Sequence, residues 1–313
     1  MKPRHQLGTA SLTWPRSTRT GTPVNDAFTL KHKRRWQPRL FSSSYGITRI
    51  QHFVTPQYAQ TQPYSYDDPT AFSVPPPAHT FGSTHDYKLQ ADQVLAASAD
   101  LTDEEKALSE LFDNKVRSLG FSSVFASLSH GHNLMKWVHY DFTANLAAFD
   151  TGIVVWQEKT KYDAVRPFSA IRHIYGDDEV TAWGGPGVGT VSDIPGKEWR
   201  PYLDSADHPE YPSGSANFCA AHAQASRLFF GSDDLNWTVP IPADSSVVEP
   251  GVTPAVDTNL FFPTWTDFAT KCADSRFNGG VHFQDAILED SLGERIGTLA
   301  YDFVQAHIAG TPP

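Results

Sequence analysis

Apolar residues recur along most of this chain at helical spacing, with turn-forming residues between the recurrences. Ala107, Leu108, Leu111 and Phe112 form one stripe. It is opened by Thr102-Asp103-Glu104-Glu105, a capping box in which the Thr hydroxyl accepts an early helix N–H and Glu105 reaches back. This pattern puts the start of ordered structure near residue 100. A longer stripe follows Gly131 through Leu134, Trp137, Val138, Leu146 and Phe149 to Trp156, and Pro167 is placed to end or kink it. A third helix is predicted from Ser213 or Ser215, with Phe218, Ala221, Ala225, Leu228 and Phe229 on one face and Gly231 as its stop. A final helical segment runs from about Trp265 to Ile308, interrupted near Gly279-Gly280. Gly184 to Pro212 reads as a Gly/Pro-rich connection and residues 232–262 as a long loop. Strand-like alternation is scarce, so the predicted fold is all-α, a helical bundle.

Composition divides the chain. Residues 1–85 hold ten prolines, among them Pro75-Pro76-Pro77. They read as an irregular segment, basic and then Pro-rich, although the Phe, Tyr and Val between the prolines put part of it on the folded body. Residues 86–313 read as the helical domain. Hydrophobic residues make up 40% of the chain, enough for a sizeable core. No run approaches the roughly 18 apolar residues of a transmembrane helix, which argues for a soluble catalytic part and against an integral-membrane enzyme.

The net charge of −10 is unevenly spread. Residues 1–40 hold nine Lys or Arg against one acid, Asp26; the rest hold sixteen basic residues against thirty-four acids, or −18. Such an acidic body excludes a nucleic-acid partner. The head is Arg-rich, Ser/Thr-rich and acid-poor like a transit peptide, but lacks a clear amphipathic helix and an apolar signal core. Secretion, organelle targeting and no targeting role all stay open. Cys219 and Cys272 permit at most one disulfide and settle no compartment.

Three clusters carry candidate chemistry. Lys159 stands six residues short of Arg166-Pro167; Tyr211-Pro212-Ser213-Gly214-Ser215 lies at a helix start; Arg276 stands five residues short of His282. Together they offer two guanidinium groups, an ammonium, a hydroxyl, free N–H groups at a helix start and an imidazole. A tetrahedral oxyanion wants that set: arginine donates forked hydrogen bonds, and a helix N-terminus carries roughly +0.5 of a charge. A neutral imidazole can then bind the central atom, as a metal ligand or as a nucleophile. Taken singly, each piece has an ordinary reading: helix-surface charges for Lys159 and Arg166, a turn and N-cap for Pro-Ser-Gly, an ion pair for Arg276, a packed histidine for His282. Their order and internal spacing make the case.

In this order and spacing the motifs resemble those of the vanadium-dependent haloperoxidases and type 2 phosphatidic acid phosphatases. The context around Asp150 to Ile171, Trp199 to Tyr202, His208 to Gly214 and Gly279 to Phe283 is similar to the soluble haloperoxidase-like branch, over roughly residues 90–310. The resemblance implies that vanadate is the cofactor, with phosphate a competing occupant. Lys159, Arg166 and Arg276 would neutralise its equatorial oxygens, Ser213 and the Gly214 N–H would hydrogen-bond them, and His282 would be the axial ligand. Asp285 falls near the family's acid after the ligand His, as orienter of His282, though one residue closer than usual.

Two departures qualify the resemblance. At Ser215 the family has an acid–base His; a serine hydroxyl does not titrate near neutrality, and loss of such help costs typically ~10²–10⁴-fold in rate. His208, seven residues earlier, is the candidate substitute, where bromide-oxidising members often carry a second His. His222 reads as structural. The family's additional helical half has proline-rich sequence in its place, which leaves an apolar face for the tail or a second subunit to cover, or marks a truncated product. The reading is a haloperoxidase that oxidises halide, bromide first, with hydrogen peroxide and halogenates an organic acceptor, as a candidate homo-oligomer. The alternatives are a soluble acid phosphatase working through a phosphohistidine at His282, and an oxyanion-binding relative without catalysis.

Overall fold

Several helix starts in this chain are set by side chains that cap the first N–H groups, and the computed structural model, which describes residues 22–42, 46–288 and 291–311, shows them in place. The targeting expectation rests largely on residues 1–21, which lie outside the described residues. A short hairpin, β1 (Leu40–Ser42) and β2 (Thr48–Ile50), comes first. Helices α1 (Ala78–Phe81) and α2 (Thr84–Ala99) follow. Order therefore begins well before residue 100: Ser83 and Asp86 form a reciprocal capping box at α2, which buries Tyr87, Ala91, Val94 and Leu95, a helical stripe ahead of the expected start.

The expected box at Thr102 opens α3 (Asp103–Asp113), with the Thr102 N–H donating to Glu105 at 2.9 Å. A single π-helical turn over Val116–Gly120 leads into α4 (Phe121–Ser129). Helix α5 (Leu134–Tyr162) is the longest element, about 44 Å at 1.5 Å per residue. It stops before Pro167, at Asp163 in left-handed conformation (φ 47°), and Pro167 instead takes the first position of α6 (Pro167–Tyr175), where its missing N–H costs nothing. A hairpin of β3 (Glu179–Trp183) and β4 (Thr190–Pro195) runs into the Gly/Pro-rich connection, which supplies its turn and its second strand.

Ser213 caps α7 (Gly214–Phe230), and Gly231 ends it at φ 69°, both as the sequence predicts. The loop expected over 232–262 is instead largely an antiparallel hairpin of β5 (Asp234–Ile241) and β6 (Thr258–Thr264). Its signal is the alternation of Leu235, Trp237, Val239 and Ile241, obscured by Pro240 and the polar stretch between the strands. Helices α8 (Trp265–Asn278), α9 (Gln284–Ile287) and α10 (Ser291–Ile308) complete the chain, broken near Gly279-Gly280 as predicted.

Helices α5, α7 and α10 pack together through small residues, Ala147, Ala221, Ala225 and Ala300. A disulfide between Cys219 and Cys272 ties α7 to α8 inside an aromatic cluster of Phe112, Trp237, Phe262, Trp265 and Phe268. On the other side of α5, Trp36, Phe53, Phe72 and Val74 of the N-terminal segment are buried against Val154, Val155, Trp156 and Tyr162. Buried Asp150 holds that segment by accepting the N–H groups of Tyr64 and Ser65. The predicted uncovered apolar face lies on α4 and the start of α5, where Leu128, Leu134, Met135, Val138 and Phe142 are exposed. Among the described residues no helix is long and apolar enough to cross a membrane.

Candidate oxyanion site

The last turns of α5, the loop before α7 and the loop after α8 converge on one buried volume. Lys159 is fully buried at the end of α5. Its ammonium donates to three backbone carbonyls, Pro209 at 2.9 Å, Glu210 at 2.8 Å and Pro212 at 2.6 Å, and so fixes the loop that leads to Ser213. Burial holds its pKa far below the usual lysine range, the nearby Arg166 charge adds to this, and Glu210 opposes it.

Arg166 caps α6 with its backbone and spans the site with its side chain. Its guanidinium donates to the carbonyls of His208 at 3.1 Å and Val281 at 2.7 Å. One terminal nitrogen lies 3.1 Å from Nε2 of His282, the other 3.1 Å from Nδ1 of His208. Burial pulls its pKa down to about 10; Glu210 and Asp207 oppose this and Arg276 adds to it. Arg276 is turned towards α3, donating to Asp113 at 3.0 Å and to the Ser109 carbonyl at 2.5 Å. It remains close enough to lower the pKa of Arg166.

Ser213 is buried, follows a cis Tyr211–Pro212 bond, and accepts the Ala216 N–H. At Gly214 an added Cβ would come 3.9 Å from Cε of Lys159 and 3.7 Å from the Trp156 ring. The first turn of α7 therefore lies against the lysine. Ser215 is half-buried one residue further on. His208 packs 5.0 Å from the Trp156 ring, and burial, with Lys159 and Arg166 beside it, keeps it neutral. His222 is distant from these motifs in contact terms: its Nε2 lies 3.1 Å from the Ser122 hydroxyl and its ring packs on Trp265, with burial pushing its pKa down to about 4.

His282 carries the most specific geometry. Its Nδ1 lies 2.7 Å from a carboxylate oxygen of Glu210. A guanidinium can only donate, so the Nε2 that faces Arg166 must offer its lone pair, and Nδ1 must carry the proton that Glu210 accepts. Burial, with Arg166 assisting and Glu210 opposing, pushes the pKa down to about 3, so the ring is neutral at physiological pH.

The orienting acid is therefore Glu210 and not Asp285. Asp285 contacts the Ala78 N–H at 2.8 Å and His79 at 3.1 Å instead, because the shortened spacing puts it on α9, facing α1. Glu210 is fully buried and also accepts the Phe283 N–H at 3.0 Å. It stood inside the His208-to-Gly214 motif, but nothing in spacing alone distinguished it from a loop carboxylate. Lys115 was also missed. It lies at the π-helical turn with its amine on the Phe112 carbonyl. Burial, reinforced by Arg276 and opposed by Asp113, brings its pKa down to about 7.

The arrangement is cation-rich: Arg166 depresses Lys159, and Arg276 depresses both Arg166 and Lys115. Among the described residues no group of three or more His, Cys, Asp or Glu side chains is placed to hold a metal cation. Buried like charges around one imidazole lone pair suit an anion with an electrophilic centre, and vanadate and phosphate both have that character.

Comparison with known proteins gives a consistent picture. The model of the family described as the VCPO second helical-bundle domain matches residues 139–310. A holo-type bacterial vanadium-dependent chloroperoxidase is 46% identical, with a TM-score of 0.88 over 91% of this chain and 64% of its own. The apo-type structure is 45% identical, with a TM-score of 0.88 over 91% and 66%. A bacterial vanadium-dependent iodoperoxidase, 21% identical at a TM-score of 0.64 over 88% and 62%, shares the fold. The chain spans less than two thirds of the first of these structures and about that share of the second. No curated protein matches it.

Proposed function

The chain belongs to the VCPO family, a branch of the vanadium haloperoxidase and type 2 phosphatidic acid phosphatase superfamily, and from that premise we propose a vanadate-dependent haloperoxidase that oxidises bromide with hydrogen peroxide. The observation that carries the reading is the neutral His282, its Nε2 lone pair directed into a group of mutually repelling buried cations. His282 would ligate the vanadium; Lys159, Arg166, Arg276, Ser213 and the Gly214 N–H would hold its oxygens. Bound vanadate supplies a Lewis acid that activates peroxide without changing oxidation state.

The protein's own part is to bind, orient and move protons. Glu210 fixes the His282 ring and its tautomer. Lys159 holds the Pro209–Pro212 turn, and with it the start of α7, against the oxyanion. Oxidising a halide with peroxide to hypohalous acid and water consumes a proton, which Ser215 cannot supply near neutrality. His208 is held neutral, whereas Lys115 titrates in the useful range beside Arg276. In this reading Lys115 would be the proton donor, with turnover slower than with a histidine at position 215. The released hypohalous acid equivalent halogenates an organic acceptor. In the same reading, residues 86–313 form the catalytic unit, the described part of residues 22–85 packs against it, and the exposed stripe of Leu134, Val138 and Phe142 pairs with a second copy.

The test is an assay of the purified chain with vanadate, peroxide and bromide for bromination of a dye, run beside hydrolysis of a chromogenic phosphate ester without vanadate. Bromination lost in Lys159→Ala and in His282→Ala supports the proposal. Ester hydrolysis alone points to the phosphatase reading, in which the same lone pair attacks phosphorus. Neither activity, with no vanadate bound, overturns both.

A further inference from the structure

The partner of His282 is itself held from behind by a residue outside the three motifs. One carboxylate oxygen of Glu210 accepts Nδ1–H of His282. The other lies 3.2 Å from Nε2 of His79, an ion pair too far off line to count as a hydrogen bond. His79 is wholly buried on α1, directly after the Pro75-Pro76-Pro77 run. Its Nδ1 lies 3.1 and 3.2 Å from the two oxygens of Asp285, which also accepts the Ala78 N–H. Phe283 packs on the His79 ring at 4.4 Å, and Tyr211 meets it edge-on. The charged groups facing the ring are these two carboxylates, one from the loop before α7 and one from α9.

We propose that His79 is a positioning residue, a buried ring clamped between Glu210 and Asp285 that fixes the Glu210 carboxylate against Nδ1 of His282 and thereby keeps His282 in the tautomer with a free Nε2. The inference rests on the oxyanion-site reading above. A neutral imidazole has one N–H and one lone pair, so at these distances it would turn a lone pair towards one of the two carboxylates. Double protonation removes that repulsion and makes both contacts attractive. Burial alone would depress the His79 pKa, but the Glu210 charge and the contacts to both acids outweigh it and raise it to about 9. Burial would likewise raise Glu210, yet His79 and His282 hold it well below the usual carboxylate range.

The chain of contacts explains what Asp285 does. It does not touch His282; it reaches it through His79 and Glu210. Without His79 behind its second oxygen, the Glu210 carboxylate is no longer held in place, and it can turn away from Nδ1–H of His282 and the Phe283 N–H, so that the imidazole loses its fixed tautomer. Residues that orient a ligand from behind in this way typically change affinity about 10–100-fold when removed.

The test uses the full chain. Side-chain ¹⁵N NMR of the vanadate-free protein at pH 7 reads both rings; the expected result is His79 doubly protonated and His282 neutral with the proton on Nδ1. His79→Gln keeps a side-chain donor without the charge. It is expected to stay folded by circular dichroism, shift His282 towards the Nε2–H tautomer and weaken vanadate binding about 10–100-fold. A folded His79→Gln protein with an unchanged His282 tautomer and vanadate affinity within twofold of wild type overturns the proposal. So does a neutral His79 at pH 7 in the wild type. Should His79→Gln fail to fold, Asp285→Asn makes the same comparison with the ring in place. If the wild type binds no vanadate, the proposed function falls, while the two ring states still decide the role of His79.

Discussion

Ser215 sits one residue inside the helix that Ser213 caps, at the position where a histidine would give the site its proton donor. Installing it by Ser215→His is expected to raise the bromination rate by about 10²-fold or more while leaving vanadate affinity within a few-fold. The amine of Lys115 makes a second, pH-dependent prediction. Its pKa of about 7 means that it is an ammonium donor below neutrality and a free amine above it. Bromination should therefore decline as pH rises through 7, and Lys115→Met should lower the rate and remove that limb. An unchanged pH profile in Lys115→Met would assign the proton to another group. At this scale the sequence was legible where residues sit at fixed internal spacing. Lys159, Arg166 and His282 are brought together around the loop that leads to Ser213, while the Arg276 side chain turns to Asp113 and Ser109. Glu210, His79 and Lys115 were not legible, because their meaning comes from a partner 72 to 206 residues away in sequence: His282 for Glu210, Asp285 and Glu210 for His79, Arg276 for Lys115.

Elements were readable to the extent that their signal is local. The Thr102 box, the Ser213 cap and the Gly231 stop are each decided within a turn of helix, and all three stand where expected. The β5–β6 hairpin was not readable, since each strand gains its partner across a polar, Pro-containing stretch of residues 242–257. Nor were the close crossings of α10 on α7. Gly293 and Gly297 let the helix backbones meet: a Cβ at Gly297 would stand 2.6 Å from the Ala221 carbonyl oxygen, and one at Gly293 would overlap that of Asn217. Backbone atoms in a packed helix cannot move aside as a flexible side chain can. Gly297→Ala should therefore cost about 1–3 kcal/mol despite alanine's better helix propensity, read as a lower urea midpoint with unchanged slope. A midpoint equal to or above the wild type would show that the two helices slide apart at little cost.

Over the whole molecule the main surprise is the N-terminal segment. Its composition predicts an irregular segment with some residues laid on the body. In the fold it buries Trp36, Phe53, Phe72 and Val74, lends carbonyls of Val74 and Pro75 to Tyr162 and Tyr211, and delivers His79 to the back of the site. Proline-rich composition conceals this, because it signals irregular backbone and says nothing about burial. The buried histidines also set the acid limit of stability. His222 and His282 have folded pKa values near 4 and 3, below the unfolded value of 6.5. As pH falls below 6.5 the unfolded chain takes up protons that the folded chain refuses, so stability is lost on acidification. His79, raised to about 9, contributes stability that is already complete below 6.5, so it does not offset this loss. The melting temperature should fall steadily between pH 6.5 and 4, and His222→Gln should flatten part of that slope; a slope identical to wild type would remove His222 from the account. The central claim is the anion site itself, and isothermal titration of vanadate tests it most directly. One site per chain is expected, with affinity reduced at least about 100-fold in Lys159→Ala, Arg166→Ala and His282→Ala proteins that remain folded. Absence of binding to the wild type, or binding that these three substitutions leave unchanged, would contradict it.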